Sequence, residues 1–283
     1  MKIQKTLILI LVLLLSLDIF VWRLIFFSKS PSGLELYFLA VGQGDSELAV
    51  LPGGVQILID GGKGNGATQE LTSILPFFDR YLDLVVLSHP EIDHFLGLID
   101  VLKNYRVGTF ISNGRQGTAD SWPALVEVLK NGKVPVVILA AGDRIRYREN
   151  RFDILSPTKD FLNSKETNDS GLVMKLTGLD SKILFTGDIG KKVEDYLVKN
   201  YDLGVDILKV SHHGSKFSSS QDFLAASQPQ FAFIEVGKNS YGHPTEEVLS
   251  RLAAVGAAIY RTDTSGTIKL VINKGRISIS KRK

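Results

Sequence analysis

The sequence predicts a layered α/β protein built as two similar halves behind one transmembrane helix. Three observations predict it. Residues 6–27 are almost entirely apolar. Residues 34–140 pass from a strand-rich start into alternating helix and strand, and that order recurs after residue 144. Several short apolar runs also end in turns loaded with histidine and carboxylate.

The chain has 283 residues, 44% hydrophobic and 22% charged, which suits one large globular domain or two small ones and excludes disorder over most of the length. A net charge of +3 neither demands nor forbids a polyanionic partner. There is no cysteine, so disulfides, thiolate ligands and lipid-modified cysteines are excluded. A bound metal must then sit among His, Asp and Glu, which favours zinc or manganese over copper(I) or iron–sulfur.

Residues 1–29 read as an amino-terminal anchor, because about twenty apolar helical residues cross a ~30 Å hydrocarbon layer. A cleaved signal peptide, giving a secreted protein, is the rival. The window Trp22-Arg23-Leu24-Ile25-Phe26-Phe27 is too bulky for a cleavage site, so an uncleaved anchor with the rest of the chain outside the cytoplasm is the expectation. Residues 30–33 form a short linker, and 34–283 the folded part.

Strands are expected over 34–39, 47–51 and 55–59, with the hairpin signal Pro52-Gly53-Gly54 between the last two. The run Gly61 to Gly66 lacks the Lys-Ser/Thr ending of a phosphate loop and is expected to be a connection. A helix is expected over 69–78, a buried strand over 84–87, and a helix over 96–104. Strand 107–111, helix 122–130 and strand 134–139 follow, by hydrophobic period. The second half reads as strands 144–147, 152–155, 172–177 and 181–185, helix 191–200, strands 205–210 and 231–236, and helix 246–255. Strands 258–261, 267–272 and 276–280 close the chain.

All five histidines, His89, His94, His212, His213 and His243, lie in turns after apolar strands. Glu91, Asp93 and Asp188 occupy the same kind of turn. One shared sheet edge would gather these groups. Imidazole and carboxylate at that density suit one or two divalent ions, Asp188 can bridge a pair, and a water shared between them loses a proton near neutral pH. His243 is expected as a late ligand or as a proton donor to a leaving group. His212 should point away from His213, since neighbours in extended chain face opposite sides. His213-Gly214-Ser215-Lys216 offers donors for an anionic oxygen, although a Ser-rich stretch is also a common solvated helix start.

The segments Val41-Gly42-Gln43-Gly44-Asp45, Leu58-Ile59-Asp60-Gly61-Gly62, Ser88-His89-Pro90-Glu91-Ile92-Asp93-His94, Asn168-Asp169-Ser170, Phe185-Thr186-Gly187-Asp188-Ile189, Leu208-Lys209-Val210-Ser211-His212-His213-Gly214-Ser215 and Gly242-His243-Pro244 carry a resemblance. In that order they resemble the metallo-β-lactamase superfamily, and within it the nuclease-like domain of ComEC-type competence proteins. The resemblance implies an αββα sandwich over residues 34–283 and a divalent-metal hydrolase of phosphodiesters, DNA among them. Its His-x-His-x-Asp-His motif falls on His89, Glu91, Asp93 and His94. The principal metal would then sit on Asp93, His94, Asp188 and His213, with His89 and Glu91 completing a second site. Asp93, Asp188 and His243 would be catalytic, and His212, Ser215, Lys216, Asn168 and Ser170 would contact substrate.

Two departures stand out. Glu91 replaces the motif's second histidine, a harder ligand that favours manganese or leaves that site weakly filled. Ala40 stands where relatives carry an aspartate. With one apolar span, the chain does not supply the many spans of a full competence channel. Two other readings are a metallo-hydrolase of a phosphorylcholine ester, lactone or β-lactam, and a catalytically silent module that binds DNA or a partner.

Overall fold

A computed structural model describes residues 2–27 and 33–282, so most of the expected linker at 30–33 lies outside the described residues. Helix α1 (Lys2–Phe27) has 26 residues, about 39 Å at ~1.5 Å per residue. Its span Ile3–Arg23 has 21 residues and mean hydropathy 2.3, long and apolar enough to cross a membrane, and none of these residues is buried within the protein.

The first half contains β1 (Leu34–Phe38), β2 (Glu47–Val50), β3 (Gln56–Ile59), α2 (Gly66–Ile74), β4 (Tyr81–Val86), α3 (Ile92–Asn104), β5 (Arg106–Ser112), α4 (Trp122–Asn131) and β6 (Val136–Ile138). The second begins with β7 (Arg144–Tyr147), β8 (Asn150–Ser156), α5 (Lys159–Leu162), β9 (Val173–Gly178), β10 (Ser181–Phe185) and α6 (Lys191–Asn200). It continues through β11 (Ile207–Lys209), α7 (Gln221–Ser227), β12 (Phe231–Ile234), α8 (Glu246–Ala254), β13 (Ala258–Arg261), α9 (Thr262–Ser265), β14 (Thr267–Asn273) and β15 (Arg276–Arg282).

Two sheets result, ordered β15-β14-β1-β2-β3-β4-β5-β6 and β13-β12-β11-β10-β9-β8-β7. Each half opens antiparallel and ends in parallel strands: β3 to β6 in one sheet, β10 to β13 in the other. The two-halves expectation holds with one difference. β14 and β15 leave their own half and extend the first sheet, where β14 pairs with β1 from Leu34↔Ile272 to Phe38↔Ile268.

Three apolar cores define four layers. Phe38, Phe152, Phe185 and Phe233 fill the space between the sheets. Phe38 stacks on Phe233 at 4.3 Å between ring centroids, a contact worth ~0.5–1.5 kcal/mol beyond its buried area. Leu71, Phe95, Leu98 and Leu125 seal α2, α3 and α4 to the first sheet, while Val193, Leu197, Phe223 and Val248 seal α6, α7 and α8 to the second. The order is helix, sheet, sheet, helix.

Some boundaries differ from the sequence expectation. α2 ends at Ile74 rather than 78, because Pro76 disfavours helix in the residue before it. α3 begins at Ile92 rather than 96, with Glu91 extended at φ −91°, ψ 150° as its N-cap, so Asp93 and His94 stand in its first turn. Gly97 permits this start: a Cβ there would lie 1.9 Å from the Gly61 carbonyl oxygen, so α3 rests directly on the loop after β3.

Candidate metal centre

The site lies where β3, β4, β10, β11 and β12 end and where β1 turns into β2. Ser88 follows β4 and is bound twice by Asp60, its N–H donating to Oδ1 at 2.8 Å and its hydroxyl to Oδ2 at 2.6 Å. His94 Nδ1 donates to Asp60 Oδ2 at 2.8 Å, which turns Nε2 toward Asp188, 3.3 Å from its Oδ2. His89 lies against His94 with centroids 4.1 Å apart, and its Nδ1 is 3.0 Å from the Ser88 hydroxyl.

The second sheet supplies the other wall. Gly187, at φ +51°, makes the turn that delivers Asp188 after β10. His212 and His213 follow β11 with φ of +51° and +53°, left-handed conformations uncommon for side chains with a Cβ. They are held by the Ser218 hydroxyl on the Ser211 carbonyl at 2.9 Å, by the Ser211 hydroxyl on the Ile189 carbonyl at 2.6 Å, and by His213 Nδ1 on the Glu235 carbonyl at 2.8 Å. His213 Nε2 then reaches Asp188 Oδ2 at 3.4 Å and Asp93 Oδ2 at 3.6 Å.

Charge and burial show what this centre can hold. The Nε2 atoms of His89, His94 and His213 are all buried without a hydrogen-bond partner, as is Asp188 Oδ1. Orphaned donors and acceptors of this kind are costly unless an ion or water uses them. Burial opposes protonation of His94, but Asp188 and Asp60 outweigh it and hold its pKa well above the usual histidine range. Burial likewise opposes a charge on His213, yet Asp188 and Asp45 push its pKa up to about 10. Burial and the neighbouring His94 push His89 down to about 3, leaving its ring neutral. Against burial, His213 and His94 hold Asp188 well below the carboxylate range. A field that strong on two imidazoles favours a cation, and neutral imidazole with ionised carboxylate is the donor set of zinc or manganese. Ligand atoms lie mutually within 4.8 Å in the groups His89-His94-Asp188, Asp93-His94-His213 and Asp45-Asp188-His213. These residues fit a divalent ion.

Beneath the centre is a buried ionic cluster to which the sequence reading gives no role. Lys209, fully buried on β11, donates to Asp45 Oδ2 and, at 3.1 Å, to the Gly187 carbonyl, and lies 3.8 Å from Asp188 Oδ1. Burial opposes its charge, but Asp45 and Asp188 raise its pKa above the ordinary lysine value. Glu47 and Glu235 complete the cluster. Burial and then Asp45 push Glu235 up to about 8, while burial and Glu235 hold Glu47 well above the carboxylate range, so this pair retains protons at neutral pH. The available signal was a charge inside a strand otherwise read as buried: Lys209 in Ile207-Leu208-Lys209-Val210, and Glu235 in Phe233-Ile234-Glu235-Val236.

A cleft of about 400 Å³ opens above the centre. Asp93, Asp188, His212, His213, His243 and Asn168 line it. Glu91 also lines it but belongs to none of the ligand groups found among the described residues. His212 does not point away as extended chain would dictate. The paired left-handed conformations bring both rings to the cleft, with His212 at 5.6 Å from His243. His243 Nδ1 is buried and unpaired, and burial, then the charges of His212 and His213, lowers its pKa. Three expected substrate contacts are not brought to the cleft. Ser215 is buried and its hydroxyl takes the Phe217 N–H, Lys216 lies over the Phe217 ring, and Ser170 spends its hydroxyl on the Thr167 carbonyl.

Comparison with known proteins agrees with this architecture. The profile of the metallo-beta-lactamase superfamily matches residues 41–234. ComE operon protein 3 of Bacillus subtilis (strain 168) is 28% identical over 258 residues, 83% of this chain and 32% of its own. Competence protein ComA of Neisseria gonorrhoeae is 33% identical over 215 residues, 73% of this chain and 28% of its own. The chain thus spans about a third of the length of these curated relatives. Among solved structures, the metallo-beta-lactamase fold protein YhfI from Bacillus subtilis superposes with a TM-score of 0.56 at 11% identity, covering 88% of this chain and 100% of YhfI. With its two-sheet fold and its edge of histidines and carboxylates, the chain belongs to the metallo-β-lactamase superfamily, where its sequence is similar to competence proteins of the ComEC type.

Proposed function

We propose that the chain is a metal-dependent hydrolase of phosphodiesters, with DNA as substrate, held at a membrane by α1 with its catalytic domain outside the cytoplasm. One observation carries this reading: buried, unpaired Nε2 atoms of His89, His94 and His213 converge with Asp188 at one sheet edge. Asp93, His94, Asp188 and His213 would hold the principal zinc or manganese ion, with His89 and Glu91 available to a second. Such an ion polarises a phosphoryl oxygen and lowers the pKa of water toward neutrality.

The chain's own side chains do the rest. Asp60 fixes the His94 ring through Nδ1, and Lys209 ties the Gly187 carbonyl beside Asp188, so both ligands are positioned in advance. His243 lines the cleft with a lowered pKa that favours its neutral ring, so its imidazole would take the proton that the attacking water loses and pass it to the leaving oxygen. Lys165 and Asn168 line the cleft and offer donors to a backbone phosphate. Likeness to a competence protein supports DNA over other phosphodiesters, because competence is the uptake of DNA.

The test is metal analysis of the full-length chain in detergent, alongside hydrolysis of a DNA oligonucleotide, a phosphorylcholine ester, a lactone and a β-lactam. Chelation and Asp188→Ala should each lower DNA cleavage at least about 100-fold, since even the outer partners of a metal ligand are worth ~10–100-fold. Asp188→Ala should also lower bound metal. Undiminished DNA cleavage by that variant, or turnover of the lactone or β-lactam alone, would sink the reading. A chain without affinity for zinc or manganese would favour a binding module.

A further inference from the structure

Tyr241 stands at the mouth of the cleft with 73% of its surface exposed. A single exposed aromatic needs no explanation in general. Here three observations set it apart. The ring lies over His243, centroids 5.7 Å apart and planes inclined by 30°, and His243 in turn is 5.6 Å from His212. Tyr241 thus covers His243 with one face, His243 meets His212 edge-on at 78°, and most of the tyrosine ring is left to solvent.

The loop that carries Tyr241 is also fixed. Asn239 Oδ1 accepts the N–H groups of both Tyr241 and His243 at 3.1 Å, and Asn239 Nδ2 donates to the carbonyls of Gly237 and His243 at 2.9 Å. The backbone that carries the ring is thus ordered before contact, which lowers the cost of binding. Finally, the cleft beside it is polar, with Gln43, Lys165, Thr167 and Asn168 in its wall. A lipid phosphodiester would need an apolar path for its chains. A nucleotide needs only one flat surface beside the phosphate.

We propose that Tyr241 stacks on an unpaired nucleobase adjacent to the phosphodiester seated at the metal centre. This rests on the phosphodiesterase reading and narrows the substrate to single-stranded nucleic acid or a frayed strand end. Bases within a duplex have both faces covered by their neighbours, so an isolated ring at a cleft mouth reaches only an unpaired or terminal base. Tyr241 is a specificity residue: it touches the base and leaves the reacting atoms to the groups below it.

The test uses the full-length chain in detergent with manganese, as wild type, Tyr241→Ala and Tyr241→Phe. Binding of a fluorescent, phosphorothioate-protected single strand is compared with binding of an abasic strand of the same length. Tyr241→Ala should weaken binding of the base-bearing strand about tenfold, in keeping with stacking of one base on an aromatic ring, and leave the abasic strand unchanged. Tyr241→Phe should stay within about twofold of wild type, because the face and not the hydroxyl is used. Unchanged binding by Tyr241→Ala, an equal loss on the abasic strand, or no binding of either strand by wild type overturns the proposal. Cleavage of an unprotected strand is scored separately. Tyr241-dependent binding without any cleavage supports base stacking and refutes the hydrolase reading alone.

Discussion

Replacing Lys209 with methionine isolates what the buried ionic cluster contributes. The side chain keeps much of its length and loses its charge. Lys209 has no exposed surface, and its ammonium meets Asp45, the Gly187 carbonyl at 3.1 Å and Asp188 at 3.8 Å. The variant leaves Asp45 buried, with His213 at 3.2 Å and His94 at 3.8 Å as its remaining imidazole neighbours. Removing one partner of a buried ion pair costs about 3–5 kcal/mol, chiefly because the other charge is stranded. Against a total of ~5–15 kcal/mol for a domain, the chain should still fold while its urea midpoint drops sharply. Adding Asp45→Asn to the Lys209→Met background removes the stranded charge and should restore at least about 1 kcal/mol, within the coupling range of ~0.5–3 kcal/mol for contacting residues. The assay is urea unfolding of the full-length chain in detergent, compared at equal slope. A Lys209→Met variant within about 0.5 kcal/mol of wild type, the scatter of neutral surface changes, would refute the reasoning. It would mean that Asp45 carries no charge in the folded state.

Two further outcomes follow from residues that are not ligands themselves. Gly97→Ala puts a Cβ 1.9 Å from the Gly61 carbonyl oxygen and should cost about 1–3 kcal/mol, seen as a lower Tm together with weaker metal affinity, because α3 carries Asp93 and His94. An unchanged Tm would show that α3 need not lie against that loop. Glu194 is buried and accepts the Ser220 N–H at 2.9 Å. Burial raises its pKa above its ordinary value despite that bond. A raised folded pKa gives stability that is complete below the unfolded value of ~4.3 and is lost as pH rises through the folded value. Glu194→Gln should therefore gain on wild type as pH is raised from about 4 toward 7. Parallel urea midpoints across that range would argue against it.

Much of the centre is legible in the residues because strand ends are. His89, Asp188 and His213 each follow an apolar run, and each run is a strand of the central layers. What escapes is whatever depends on backbone handedness or distant pairing. Nothing in the letters His212-His213 announces two left-handed residues, so alternation in extended chain misplaces His212. α7 is missed because its seven residues follow three serines that read equally well as loop. The start of α3 is missed because Ile92, Asp93 and His94 look like the polar turn that feeds a helix, whereas Glu91 already caps it. Likewise, no local signal in residues 267–282 tells which sheet they join, since their partner β1 lies more than two hundred residues away.

The pairing of β1 has a mechanical consequence. Chain arriving from the amino-terminal side enters at Leu34, the end of β1 opposite the turn that bears Asp45. All five residues of β1 pair with β14, and four of them also pair with β2. A pull at that entrance acts along β1, across hydrogen bonds that run perpendicular to it, and so loads both ladders in shear at once instead of peeling them singly. A tethered domain strained by a long polymer in its cleft would feel that load at a strand clamped on both sides, leaving the ligand-bearing edge free of the tether.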